Sequence, residues 1–138
     1  MFELDTRLAE ATSEIGDLNL CRVLLMNDRA VPWLLLVPMR EKISEMYQLN
    51  KKERGFLIEE INLATEVMER LYHPHKLNVG MLGNLVNQMH VHVICRFEQD
   101  RAWPNSIWNT TPIQPYSEDE MKSMRASFRK GFGISQGQ

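Results

Sequence analysis

Gln88-Met89-His90-Val91-His92-Val93 alternates polar and apolar residues, and Ile94-Cys95 extends the apolar run. A period of two is the spacing of a strand, whose successive side chains point to opposite faces. Gln88, His90 and His92 therefore share one face, with neighbours ~6.8 Å apart at Cα. Met89, Val91, Val93 and Cys95 share the other. Such a strand calls for a sheet with one face docked on hydrocarbon and a polar face left open. Two imidazoles and a carboxamide in a row are costly to bury without partners or a task. The pattern constrains architecture and chemistry together.

The element that covers the apolar face is legible upstream. Leu57, Ile61, Ala64, Met68 and Leu71 recur at helical spacing, while Lys52, Glu59, Glu66 and Glu69 mostly lie elsewhere. Asn50 with Glu53 predicts a capping box at the start of this helix, and His73-Pro74 predicts its end. Residues 20–26 and 33–37 read as a hairpin buried on both sides, turning at Asn27-Asp28-Arg29. Residues 77–82 and 89–97 read as two more strands, with Gly83, Asn84 and Asn87 in their connection. Leu4, Leu8, Ala11 and Ile15, with Gly16 as a stop, predict a first helix. Ser117 and Glu120 predict a capping box for a last helix, and residues 98–115 read as an ordered but irregular excursion. This order is not the alternation of a parallel sheet, so the fold class is α+β with an antiparallel sheet.

A chain of 138 residues suits one domain. Its net charge of −2 offers no broad field for a nucleic-acid polymer or a membrane surface. No apolar run approaches the ~20 residues that span a bilayer, and the start lacks the order of a secretory signal. Cys21 and Cys95 lie in apolar, strand-like runs and read as small buried hydrophobes in a reducing compartment. The expectation is a cytoplasmic protein.

Three chemistries fit the polar face. His90 can be a nucleophile toward phosphorus, through the lone pair of a neutral imidazole. His90 and His92 can be metal ligands, with a third drawn from His73, His75, Cys95 or a carboxylate. Both can instead be satisfied structural histidines.

The heptad Gln88-x-His90-x-His92-Val93-Ile94, together with the Asp28 hairpin ending in Val37-Pro38, resembles the histidine-triad (HIT) family over roughly residues 20–105. The resemblance implies a HIT-like antiparallel sheet of about five strands against one long helix, with further N- and C-terminal helices. It divides a single domain, 1–138, into a core of about 20–105, a C-terminal loop and helix over 106–131, and a frayed tail at 132–138. It implies that His90 attacks the α-phosphorus of a nucleotide and is transiently nucleotidylated. His92 would hydrogen-bond the phosphoryl group or assist the leaving group, Asp28 would bind ribose hydroxyls, and Asn84 would donate to a phosphate. The implied substrates are dinucleoside polyphosphates or nucleoside phosphoramidates. No cofactor is required, although the substrate can carry Mg²⁺. Backbone N–H groups, Asn84 and a protonated His92 are expected to neutralise charge. A homodimer through the long helix and adjacent strand is expected by the same resemblance.

The chain departs from that pattern in places. Gln88 stands where the family has its first histidine, and a carboxamide orients neighbours but cannot donate a proton as an acid. Trp33 stands where the family has a further histidine. The alternative is therefore a nucleotide-binding module with little or no turnover. His73-Pro74-His75 is similar to the His-Pro-His-x-Gln of related uridylyltransferases, but Leu77 occupies the fifth position, and the triplet reads as a helix terminator.

Overall fold

Helix α2 (Lys51–Tyr72) forms where the apolar periodicity requires it. Asn50 accepts from the Glu53 amide at 2.8 Å, and Glu53 accepts from the Asn50 amide at 2.9 Å. The helix stops at His73, which adopts a left-handed conformation ahead of Pro74. The structure is a computed structural model in which residues 1–135 are described. Around α2 run α1 (Thr6–Ala11), β1 (Thr12–Asp17), β2 (Cys21–Met26), β3 (Trp33–Pro38), β4 (Lys76–Gly80), β5 (Val91–Arg96) and α3 (Glu118–Phe132). The five strands form one sheet in the order β1-β2-β3-β5-β4, antiparallel throughout. The α+β expectation holds.

The expected first helix does not reach Ile15. It ends at Ala11, and Thr12–Asp17 becomes the edge strand β1, paired with β2. Thr12, Ser13 and Ile15 are poor helix formers. Pairing with β2 also buries Ile15 in the same core that a helix would have offered it. The last helix runs one residue past the expected boundary at 131, and a bare Gly131 lets α3 lie on α2. A Cβ at Gly131 would stand 2.8 Å from Val67. Ser117 and Glu120 form the anticipated capping box. Of the expected frayed tail, residues 136–138 lie outside the described residues.

Each face of the sheet has its own core. Val23, Leu25, Leu34, Leu36, Val91, Val93 and Cys95 pack with Leu57, Ala64, Val67 and Met68 of α2 and with Phe128 of α3. Burying each of the Val, Leu, Met and Phe side chains among these stabilises the fold by about 1.5–3 kcal/mol before entropy is charged against it. The second face is not bare, contrary to expectation. Leu24, Trp33, Leu35, Val37 and Ile94 are covered by Phe2, Leu4 and Leu8 from the N-terminal arm and by Ala102, Ile107 and Trp108. Covering that face leaves less room above the histidines and makes their environment drier. Among the described residues no helix is long and apolar enough to cross a membrane.

Candidate active site

His90 and His92 occupy the same side of β5 and its approach, with ring centroids 5.2 Å apart. Both are buried, at 7% and 6% exposure. Nδ1 of His90 lies 2.7 Å from the Gln88 carbonyl. A carbonyl can only accept, so His90 carries its proton on Nδ1 and keeps a lone pair on Nε2. His92 is held in the opposite tautomer. The Trp33 indole N–H donates to its Nδ1 at 2.9 Å, so the proton of His92 sits on Nε2. Burial, reinforced by the neighbouring His90, lowers the His92 pKa to about 3. His92 is therefore a neutral donor, and the expectation of a protonated ring is corrected. A second N–H on Nδ1 would point at the indole proton, and the low dielectric disfavours the charge.

A hollow of about 300 Å³ opens over the pair, lined also by residues 82–86, Trp108 and Asn109. Trp108 meets His92 edge-on, with ring centroids 5.1 Å apart. It can approach because β4 ends in glycine: a Cβ at Gly80 would stand 2.8 Å from the indole. Asn84 lines the hollow, whereas Asn87 lines a separate depression beside Lys42 and Ser44. Asn109, in a left-handed conformation, adds a second amide that the sequence did not single out. Cys95 faces the α2 core, where burial raises its thiol to about 12. Among the described residues no three His, Cys, Asp or Glu side chains gather as a metal-ligand set. His73 and His75 stay near the surface at the end of α2, beside Glu69 and Glu98.

The HIT domain profile matches residues 8–99. The chain belongs to the HIT family. Crystal structures of histidine triad proteins show how far the likeness extends. The chain is 40% identical to one from Marinobacter aquaeolei VT8, with a TM-score of 0.93 over 96% of this chain and 97% of that one. One from Sinorhizobium meliloti 1021 is 40% identical, with a TM-score of 0.91 over 94% and 96%. One from Bradyrhizobium japonicum is 36% identical, with a TM-score of 0.92 over 95% and 98%. No functionally curated protein matches the sequence.

Two of the expected HIT site residues are engaged elsewhere. The Gln88 carboxamide accepts from the Asp5 amide at 2.8 Å and donates to the Glu3 carbonyl at 2.9 Å. It clasps the N-terminal arm, and only its backbone carbonyl serves His90. Asp28 is 1% exposed and is not among the residues that line the hollow. Arg101 donates to both its carboxylate oxygens, at 2.8 and 3.3 Å. Burial would raise the Asp28 pKa, but Arg101 and the amides of Ala30 and Gln114 outweigh it and hold the group ionised. Asp28 thus anchors the C-terminal segment through Arg101 and the Gln114 amide. Sequence reasoning missed Arg101, Trp33 as a hydrogen-bond donor, and Asn109.

The clasp carries a direct prediction. Gln88→Ala removes a part-buried hydrogen bond worth about 1 kcal/mol and an exposed one worth less. Hydrogen exchange at the Asp5 amide is expected to accelerate roughly tenfold or more, with exchange in α2 unchanged. An unchanged Asp5 amide would show that the arm holds without Gln88.

Proposed function

We propose that this HIT protein is a nucleotide hydrolase or nucleotidyl transferase working through a covalent nucleotidyl-His90 intermediate. The observation that carries the reading is the 2.7 Å contact between His90 Nδ1 and the Gln88 carbonyl. It leaves Nε2 as the basic nitrogen of a ring that borders the hollow. In the first step the Nε2 lone pair forms a bond to the α-phosphorus while the bond to the leaving group breaks, its electron pair departing with that group. The intermediate is a phosphoryl-imidazolium whose Nδ1–H stays on the Gln88 carbonyl. In the second step water attacks phosphorus, the P–N pair returns to Nε2, and the water proton passes to product or solvent.

Positioning and charge stabilisation supply the remainder. Nε2–H of His92 and the amides of Asn84 and Asn109 are donors on residues that border the hollow, as is the Trp108 indole N–H, which has no hydrogen-bond partner among the described residues. The substrate class is a small-molecule nucleotide, a dinucleoside polyphosphate or a nucleoside phosphoramidate. We propose no resident cofactor, and Mg²⁺ would arrive with the substrate. The rival reading is a nucleotide-binding module with little or no turnover, and in both readings the Gln88 carboxamide is spent on the arm rather than on the triad. The two unpaired buried thiols support a reducing, cytoplasmic setting.

We also propose a homodimer through α2 and β4. Strand β4 ends the sheet, with its own Val79 and the following Met81 exposed, and Ile58 and Leu71 of α2 are exposed. Edge strands with apolar neighbours favour pairing with a second chain.

Rapid-quench intact-mass analysis with adenosine and guanosine substrates tests the chemistry. The expected result is a transient gain of one nucleoside monophosphate, mapped to the peptide containing His90. Turnover with the adduct on another residue would overturn the assignment.

A further inference from the structure

Resting on the reading of His90 as nucleophile, we propose that this site cleaves phosphoanhydrides in preference to phosphoramidates, because Trp33 locks His92 as a hydrogen-bond donor with no acid proton to give. The two bond types differ in what the leaving group demands. When His90 Nε2 attacks a phosphoanhydride, the P–O pair leaves on the bridging oxygen of a phosphate. That anion is stable in water and needs only hydrogen bonds. When the same nitrogen attacks a phosphoramidate, the P–N pair leaves on an amine nitrogen. Without a proton delivered to that nitrogen, an amide anion would have to form, so a general acid becomes essential.

The chain withholds such an acid at each position beside the nucleophile. Gln88 has no proton to donate as an acid, and its carboxamide is bound to Glu3 and Asp5. His92 presents a single N–H, on Nε2, because the Trp33 indole donates to its other nitrogen at 2.9 Å. Giving that proton away would create an imidazolate, and no lysine or arginine lines the hollow among the described residues to stabilise it. The groups that face His92 are Trp33 from β3, Gly80 across the β4 register, Trp108, residues 82–86 with Asn109 across the hollow, and His90. Only His90 among them ionises, and its own proton is held by the Gln88 carbonyl. A histidine in place of Trp33 could exchange protons with His92, whereas an indole N–H cannot. Trp33 is thus a positioning residue that acts on the leaving group through His92.

The test has two independent readouts. In wild-type protein, nitrogen NMR of His92 is expected to report an Nε2–H tautomer that does not change between about pH 8 and pH 5. An imidazolium signature within that window overturns the proposal. In kinetics, paired adenosine and guanosine substrates share the nucleotidyl group and differ in leaving group, phosphate or alkylamine. The anhydride is expected to have a kcat/KM at least about 100-fold higher, the usual scale of a missing general acid. Equal rates with a His90 adduct from both substrates overturn the proposal and leave the nucleophile standing. No adduct from either overturns both. Trp33→His, where it folds, gives His92 a partner that exchanges protons with it and is expected to narrow the ratio about tenfold or more. An unchanged ratio in that variant also overturns the proposal.

Discussion

Asp100→Ala is expected to lower folding stability by about 3–5 kcal/mol, the scale for stripping one partner from a buried ion pair. For a chain of this size that corresponds to a fall of roughly 10–15 °C in Tm. Asp100 binds Arg96 Nε and Nη2 at 2.8 and 3.0 Å, and the pair is 1% and 2% exposed. The carboxylate also accepts from the amides of Phe97, Ala102 and Trp103. Removing it strands a buried guanidinium and unpairs the Phe97 and Ala102 amides, while the Trp103 amide keeps only a long bond to the Asp100 backbone carbonyl. Arg96 also donates to the Asn105 carbonyl at 2.7 Å, so the segment leading to Trp108 loosens as well. Arg96→Met with Asp100→Leu should recover part of the loss, since no unpaired charge remains. Thermal melts of the three variants decide it, and a loss below about 1 kcal/mol in Asp100→Ala would refute the argument.

The same pair makes stability depend on pH. Burial acts to raise the Asp100 pKa, but Arg96 and the amides overcome it and hold the carboxyl well below its ordinary 3.8. A depressed acid contributes stability above its unfolded pKa and loses it as pH falls toward the folded one. His92 adds in the same direction. It stays neutral in the fold, so the unfolded chain alone takes up its proton below about pH 6.5.

What the sequence disclosed and what it hid divide along contact distance. The faces of β5, the span of α2 and both capping boxes follow from neighbours a few residues apart, where period and side-chain chemistry decide the outcome. Ile15 misled because its helical phase from Leu8 and Ala11 matches a position that a strand also buries. The controls on the site are long-range. Trp33 reaches His92 across 59 residues, Arg101 reaches Asp28 across 73, and Gln88 reaches Asp5 across 83. No local pattern announces an indole choosing a tautomer. For Asp28, the hairpin turn was visible, but the guanidinium that occupies its carboxylate lies in a stretch without periodicity. The histidines themselves were legible because strand geometry alone puts both on one side.

His90→Ala is expected to lower kcat/KM by about 10⁴-fold or more, while nucleotide affinity changes by no more than about threefold. The asymmetry follows from what each ring contributes. His90 supplies the electron pair that becomes the P–N bond, and nothing else beside the hollow has a free lone pair of that basicity. His92 supplies one N–H, so His92→Ala should cost only about 10²–10³-fold, the scale of one oriented donor to a developing oxyanion. Deleting the His90 ring leaves the Gln88 carbonyl unpaired beside an accessible hollow that water can enter, so the stability cost stays near 1 kcal/mol. Activity and Tm therefore separate cleanly in this variant. Steady-state kinetics, binding isotherms with a non-hydrolysable nucleotide, and melts on the two single variants supply the comparison. If His92→Ala proves as damaging to turnover as His90→Ala, the division into nucleophile and donor is wrong, and the tautomers set by the Gln88 carbonyl and the Trp33 indole no longer explain the site.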